Sequence, residues 1–291
     1  MEDNNTKQEK PELLETELFK KAVFETISLW CTKEYEHSKK FKDAYNNWYT
    51  AEQDEKDNEI KKYLKDFQKF LNDYSIDRTR KAGKDNEMLK KFFDEIRTNL
   101  TFNSTMIDEL ASYFKGADCT PTKKSKKNPT KKSEPGLPTS LVAKTLFLYY
   151  PDKVALYDNN VTTAINIIYK FKKINFKKSI EHTPVDNPVD KIIYRYNVYF
   201  EKFKNFKGEY YDDGIKIIES ILKDSKVIIE QYLKEYNKIF NPTFDDSVFQ
   251  IIDGDHNDFL LHRSIDKYLW YFYEDFIKPK KESKKNETHP L

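Results

Sequence analysis

Glycine is scarce in this chain, which has only six glycines among its 291 residues. Tight β-hairpins and phosphate-cradling loops depend on glycine, because it adopts positive φ angles without strain. The shortage argues against a sheet protein with short hairpins and against a cofactor fold with a glycine-rich loop. Lysine, glutamate and leucine, which favour helices, are abundant instead.

Cysteines, long apolar runs and a large net charge are lacking as well. The two cysteines, Cys31 and Cys119, lie too far apart for metal-ligand spacing, and they favour a reducing compartment. No apolar run approaches the ~20 residues that span a bilayer. A net charge of +2 gives no general attraction for nucleic acid, so such binding would need local basic patches. We predict a cytoplasmic protein with no membrane partner, metal or cofactor.

Aromatic residues are plentiful, with 20 tyrosines and 21 phenylalanines, so the chain can bury a core built on rings. Apolar residues recur at helical spacing through most of the sequence. We predict an all-α protein with an N-terminal helical bundle over 11–116 and a C-terminal helical domain over 137–277. A lysine- and proline-rich linker over 117–136 separates them, and a disordered tail covers 278–291.

The most apolar run of the chain follows the linker. It predicts a helix over 140–150, with Thr139 or Ser140 as the N-cap. A short extended piece comes next, and Asp158 or Asn159 can cap the following helix. A later, ring-rich helix is predicted to stop at Gly208.

Asp158 is the first candidate catalytic residue, because it is an acid that follows apolar residues and precedes a helix. The helix dipole and backbone donors can keep such a carboxylate ionised, so that it stabilises a positive charge or acts as a base. The alternative is a plain N-cap that stabilises the helix by about 1 kcal/mol.

Lys144 is the second candidate, because it lies on a helix that is apolar on several sides. A lysine pressed into apolar surroundings has a lowered pKa and can act as a nucleophile. The alternative is a side chain that extends its ammonium group into water.

Basic and aromatic residues provide candidates for nucleic-acid binding. The predicted phosphate contacts are Lys123, Lys124, Lys126, Lys127, Arg78 and Arg80. The predicted base-pocket residues are Tyr157, Tyr196 and Trp270, whose rings could stack on an unpaired base. The alternatives are a solvated linker for the lysines and a helical core for the rings.

Two segments together resemble bacterial proteins similar to 8-oxoguanine DNA glycosylases, of the helix-hairpin-helix superfamily. The run from Thr139 through Lys144 and Pro151 to Tyr157-Asp158 resembles one part, and Arg263-Ser-Ile-Asp-Lys-Tyr-Leu-Trp270 resembles the closing helix. The resemblance covers about 137–270, mainly at its two ends. It departs from the superfamily pattern where Thr139 and Leu141 replace the hairpin glycines, and the Lys-to-Asp spacing is about one turn short.

The resemblance implies a DNA-binding protein that flips a base and excises it, in repair or host defence. It assigns the sugar-stabilising carboxylate to Asp158 and the lysine nucleophile to Lys144. The alternative is a non-enzymatic, all-helical interaction module, with a protein partner bound through the N-terminal bundle.

Overall fold

The computed structural model describes residues 16–74, 84–99, 101–116, 138–171, 195–224 and 255–279. Every regular element within these ranges is a helix, which confirms the all-α prediction. The α-helices are α1 (Thr16–Leu29), α2 (Tyr35–Thr50), α3 (Lys56–Asp73), α4 (Asp85–Thr98), α5 (Thr105–Gly116), α6 (Thr139–Phe147), α7 (Asn159–Phe171), α8 (Arg195–Glu209), α9 (Tyr211–Asp224) and α10 (His256–Phe272). None of the helices in the described ranges is long and apolar enough to cross a membrane.

Two π-helical turns extend these helices. The first, Trp30–Glu34, joins α1 to α2, and the second, Tyr273–Ile277, continues α10. A π turn shifts the faces of a helix relative to its ordinary period, and such turns often occur at functional sites. The first one buries both Trp30 and Glu34.

Helix α10 lies at the centre of the molecule and contacts α1, α7, α8 and α9. Its residues from Phe259 to Asp266 are all buried, including the charged side chains of Arg263 and Asp266. A helix buried on every side has no solvent-facing stripe for its charges. Arg263 and Asp266 must therefore find partners inside the protein.

Both predicted domains contribute to one hydrophobic core. The Trp30 ring from the N-terminal range packs edge-on against Phe147 and Phe259 from the C-terminal range, with centroids 6.4 and 4.6 Å away. Glu25 of α1 also pairs with Lys267 of α10 at 2.9 Å. The division into two domains stays a prediction, as do the linker and the tail, which lie outside the described residues apart from Lys278 and Pro279.

Three predicted helix boundaries are wrong: both ends of the helix predicted over 140–150, and the stop at Gly208. Helix α6 ends at Phe147, after which the amides of Leu148 and Tyr149 bond to carbonyls only three residues back, each at 3.1 Å. Helix α6 begins at Thr139 itself, and its N-cap residue is Pro138, which makes no side-chain capping bond. The Pro138 carbonyl instead accepts the first helical hydrogen bond, from Val142 N at 3.0 Å. Helix α8 continues through Gly208 to Glu209, because one glycine costs only about 1 kcal/mol in a helix whose other residues are packed.

Candidate active site

The sequence-predicted site residues fall into two groups. Those within the described ranges are Asp158, Lys144, Tyr157, Tyr196 and Trp270. Those outside the described ranges are Lys123, Lys124, Lys126, Lys127, Arg78 and Arg80. The structure therefore bears on the catalytic and base-pocket predictions.

Asp158 caps α7, as predicted. Its Oδ1 atom accepts hydrogen bonds from the backbone amides of Asn160 at 2.7 Å and Val161 at 2.8 Å. Its carbonyl accepts the Thr162 hydroxyl at 2.6 Å. The Oδ2 atom makes no hydrogen bond to any residue in the described ranges. One oxygen of this half-buried carboxylate is thus fixed by the helix, and among the described residues the other has no donor.

Lys144 lies on α6, half-buried, and forms no hydrogen bond or ion pair within the described part of the chain. Its Nζ atom is 5.8 Å from the centroid of the Tyr74 ring. Burial lowers the pKa of Lys144, the Asp158 carboxylate opposes this effect, and the Arg263 guanidinium adds to it. The two predicted catalytic residues therefore lie close enough for their charges to interact.

Glu34, Arg263 and Asp266 form a buried charge cluster, which also acts on Lys144: the Arg263 guanidinium lowers the pKa of its amine and the Glu34 carboxylate raises it. Arg263 donates from Nη2 to Glu34 Oε1 at 2.8 Å and from Nη1 to Asp266 Oδ2 at 3.0 Å. The three residues are only 2, 1 and 4% exposed, respectively. Burial raises the pKa of Asp266 to about 7, although the Arg263 guanidinium and the hydrogen bonds from Leu156 and Tyr199 lower it in part. The guanidinium also covers the Phe147 ring, 4.6 Å from its centroid.

The charge cluster is connected to the extended segment before Asp158. Asp266 Oδ2 accepts the Leu156 amide at 2.9 Å. The Tyr199 hydroxyl is within hydrogen-bonding distance of Leu156 O, at 3.1 Å, and of Asp266 Oδ1, at 3.2 Å. The Tyr196 hydroxyl donates to Ala155 O at 3.0 Å. Side chains of α8 and α10 therefore fix the backbone that leads to Asp158.

The structure brings two of the three predicted base-pocket residues together. The half-buried Tyr157 ring has its centroid 6.1 Å from that of Tyr196 and 5.4 Å from that of Tyr199. Tyr196 is fully buried, as its core alternative requires. Trp270 is 36% exposed and packs on Tyr271, without a ring contact to the other two within the described residues. The base pocket stays a prediction.

Sequence reasoning did not identify the charge cluster as part of the site. One usable signal was the spacing of Arg263 and Asp266, since residues three apart share a helix face. The turn before them on that face carries Phe259 and Leu260, and two opposite charges next to such apolar side chains indicate a buried pair. No such signal marked Glu34, because the π turn that buries it is not visible in the sequence pattern.

Within the described ranges, no group of three or more His, Cys, Asp or Glu side chains is arranged to hold a metal ion. Comparisons of the chain with models of protein families, with curated proteins and with solved structures find no match. The resemblance to the glycosylase superfamily therefore rests on the residues quoted above and stays a prediction.

Proposed function

We propose that the protein binds DNA and excises a base by a glycosylase-type reaction, with Asp158 as the group that stabilises the cationic sugar. The observation that carries the proposal is the geometry of Asp158. Two backbone amides fix one carboxylate oxygen, and the other oxygen is not hydrogen-bonded within the described residues. The carboxylate also raises the pKa of Lys144, which burial lowers.

The chemistry requires a fixed negative charge beside the sugar. The bond between C1′ and the base nitrogen breaks, its electron pair leaves with the base, and positive charge develops on the deoxyribose. A carboxylate held in place before the reaction stabilises that charge without having to reorganise. Water then adds to C1′, and the proton that it loses goes to the nitrogen of the departed base, which completes hydrolysis.

Lys144 would supply a second route. An amine attacks only when it is unprotonated, and burial lowers the pKa of Lys144, which increases its neutral fraction. The amine would attack C1′ in place of water while the bond to the base breaks, and the proton lost by the amine would go to the base. The sugar then stays joined to Lys144, and loss of a C2′ proton with departure of the 3′-phosphate nicks the strand.

DNA would be held outside the catalytic segment, by the lysines of 117–136 and by Arg78 and Arg80. Contacts of this kind make affinity fall steeply as the salt concentration rises. A base flipped toward Asp158 could stack on the half-buried Tyr157 ring.

The test is incubation of the protein with duplexes that each carry one oxidised, alkylated, deaminated or mismatched base. Wild type is compared with Asp158→Asn, since asparagine caps a helix as well as aspartate but carries no charge. We expect the wild type to release one class of base, and the variant to release it about 100-fold more slowly or not at all. Release that is unaffected by the substitution would refute the role of Asp158. If the wild type does not retain DNA at moderate salt, both DNA binding and base excision are refuted as its function.

The second candidate is the non-enzymatic interaction module. Two observations favour it: the Asp158 hydrogen bonds are also those of an ordinary N-cap, and Tyr49 and Tyr113 expose large rings on the N-terminal helices. Aromatic residues are enriched at protein interfaces. This candidate predicts neither DNA retention nor base release in the same experiment.

A further inference from the structure

We propose that Asp266 is a positioning residue, which fixes the Leu156 backbone and through it the Asp158 carboxylate, while Arg263 and Glu34 hold Asp266 in place. The N-terminal helices are then part of the site through Glu34. The catalytic consequence rests on the proposed function, whereas the positioning itself can be tested without any activity.

Asp266 contacts the extended segment that leads to Asp158. Asp266 Oδ2 accepts the Leu156 amide, and the Tyr199 hydroxyl bridges toward the Leu156 carbonyl and the other Asp266 oxygen. Both polar groups of one peptide residue are therefore engaged by the same pair of side chains. Leu156 is two residues from Asp158, so its placement limits where α7 can begin.

Asp266 is itself held in place by Arg263 and, through Arg263, by Glu34. Arg263, one turn earlier on α10, pairs with Asp266 and reaches Glu34 in the π turn between α1 and α2. Glu34 Oε1 also accepts the Tyr74 hydroxyl at 2.9 Å, and the Tyr74 ring lies beneath the Lys144 amine. Glu34 and Tyr74 thus connect the N-terminal helices to both candidate catalytic residues.

The buried charge cluster is not the most stable way to pack these helices. Burying three charges is unfavourable, and apolar residues of similar volume often hold helices together equally well or better. An apolar side chain at position 266 could not accept the Leu156 amide, which would lose its partner in a largely buried segment. The carboxylate at position 266 is therefore explained by its hydrogen bond to the Leu156 amide and not by the packing of the helices.

The test uses Asp266→Leu, which has a similar shape but no acceptor, and Tyr199→Phe, with Tyr169→Phe as the matched control. Tyr169 is a buried tyrosine whose hydroxyl donates to Lys202 O at 3.0 Å, away from Asp266. Amide hydrogen exchange at Leu156, Asn160 and Val161 is followed by NMR. Single-turnover base release and duplex affinity are measured on the same samples.

We expect amide exchange at Leu156 to be at least about fivefold faster in both variants than in the control, because its acceptor network is weakened. Base release should slow while duplex affinity stays the same. Unchanged exchange at Leu156 would overturn the proposal. Faster exchange in a protein whose wild type releases no base would support positioning and reject the proposed function. If Asp266→Leu does not fold, Tyr199→Phe decides by the same criteria.

Discussion

At the scale of single residues, Lys144 has a property that can be measured without a substrate. Burial lowers the pKa of its amine, and the nearby Asp158 carboxylate raises it in part. We therefore predict that Lys144 titrates below the usual range of lysine, and that Asp158→Asn lowers its pKa further. The measurement is an NMR titration of the lysine Cε resonances, with Lys144 assigned by substitution.

The control for Lys144 is Asp255→Asn. Asp255 also caps a helix, since it accepts the backbone amide of Asn257 at 2.7 Å, but it is exposed and does not act on Lys144. This variant should leave the Lys144 titration unchanged. A Lys144 that titrates like a free lysine, or that does not respond to Asp158→Asn, would contradict its placement beside that carboxylate.

At the scale of elements, the start of α8 depends on a carboxylate from another helix. Asp108 of α5 accepts the backbone amides of Tyr196 and Asn197, each at 2.9 Å. These bonds lower the pKa of Asp108, but burial outweighs them and raises it to about 6. Burial favours the neutral form of Asp108 and the backbone hydrogen bonds favour the charged form, and their balance decides which form caps α8 more strongly.

The raised pKa predicts how the cap affects stability. The folded protein holds a proton on Asp108 up to about pH 6, whereas the unfolded chain loses it near pH 4. The free energy of unfolding of the wild type, relative to Asp108→Asn, should therefore fall between about pH 4 and pH 6, by up to about 1.4 kcal/mol per pH unit. Urea denaturation across this range measures the difference. A difference that rises with pH would mean that the backbone bonds dominate.

The elements also show what can be read from the sequence. Apolar residues at helical spacing predicted helices through most of the chain, and every regular element of the described ranges is a helix. The Asp158 cap was predicted in the same way, because a cap and its helix are neighbours in the chain. Asp108 accepts the amide of a residue 88 positions later in the chain, and a local sequence pattern cannot predict such a pairing.

At the scale of the whole molecule, the two predicted domains are linked by the buried pair of Glu34 and Arg263. Removing one partner of a buried ion pair leaves an uncompensated charge and costs about 3–5 kcal/mol. We predict this loss of unfolding free energy for Glu34→Ala. Glu17→Ala, which removes an exposed pair with Lys20, should have little effect.

Tryptophan fluorescence can follow the same unfolding in both halves. Trp48 reports on the N-terminal helices and Trp270 on α10, whereas Trp30 packs between the two halves and reports on both. If one shared core governs stability, variants that keep tryptophan in only one half will unfold with coincident transitions, and Glu34→Ala will shift both equally. Separate transitions would instead support two independent domains.

The central claim is that Asp158 acts chemically and is more than a helix cap. The most direct measurement is single-turnover base release by wild type, Asp158→Asn and Asp255→Asn, on a duplex from which the wild type removes a base. Both variants should keep a stability close to that of the wild type, because asparagine preserves the cap. We predict that only Asp158→Asn loses base release, by about 100-fold or more. Equal rates for the two variants, or no release from any modified duplex, would contradict the claim.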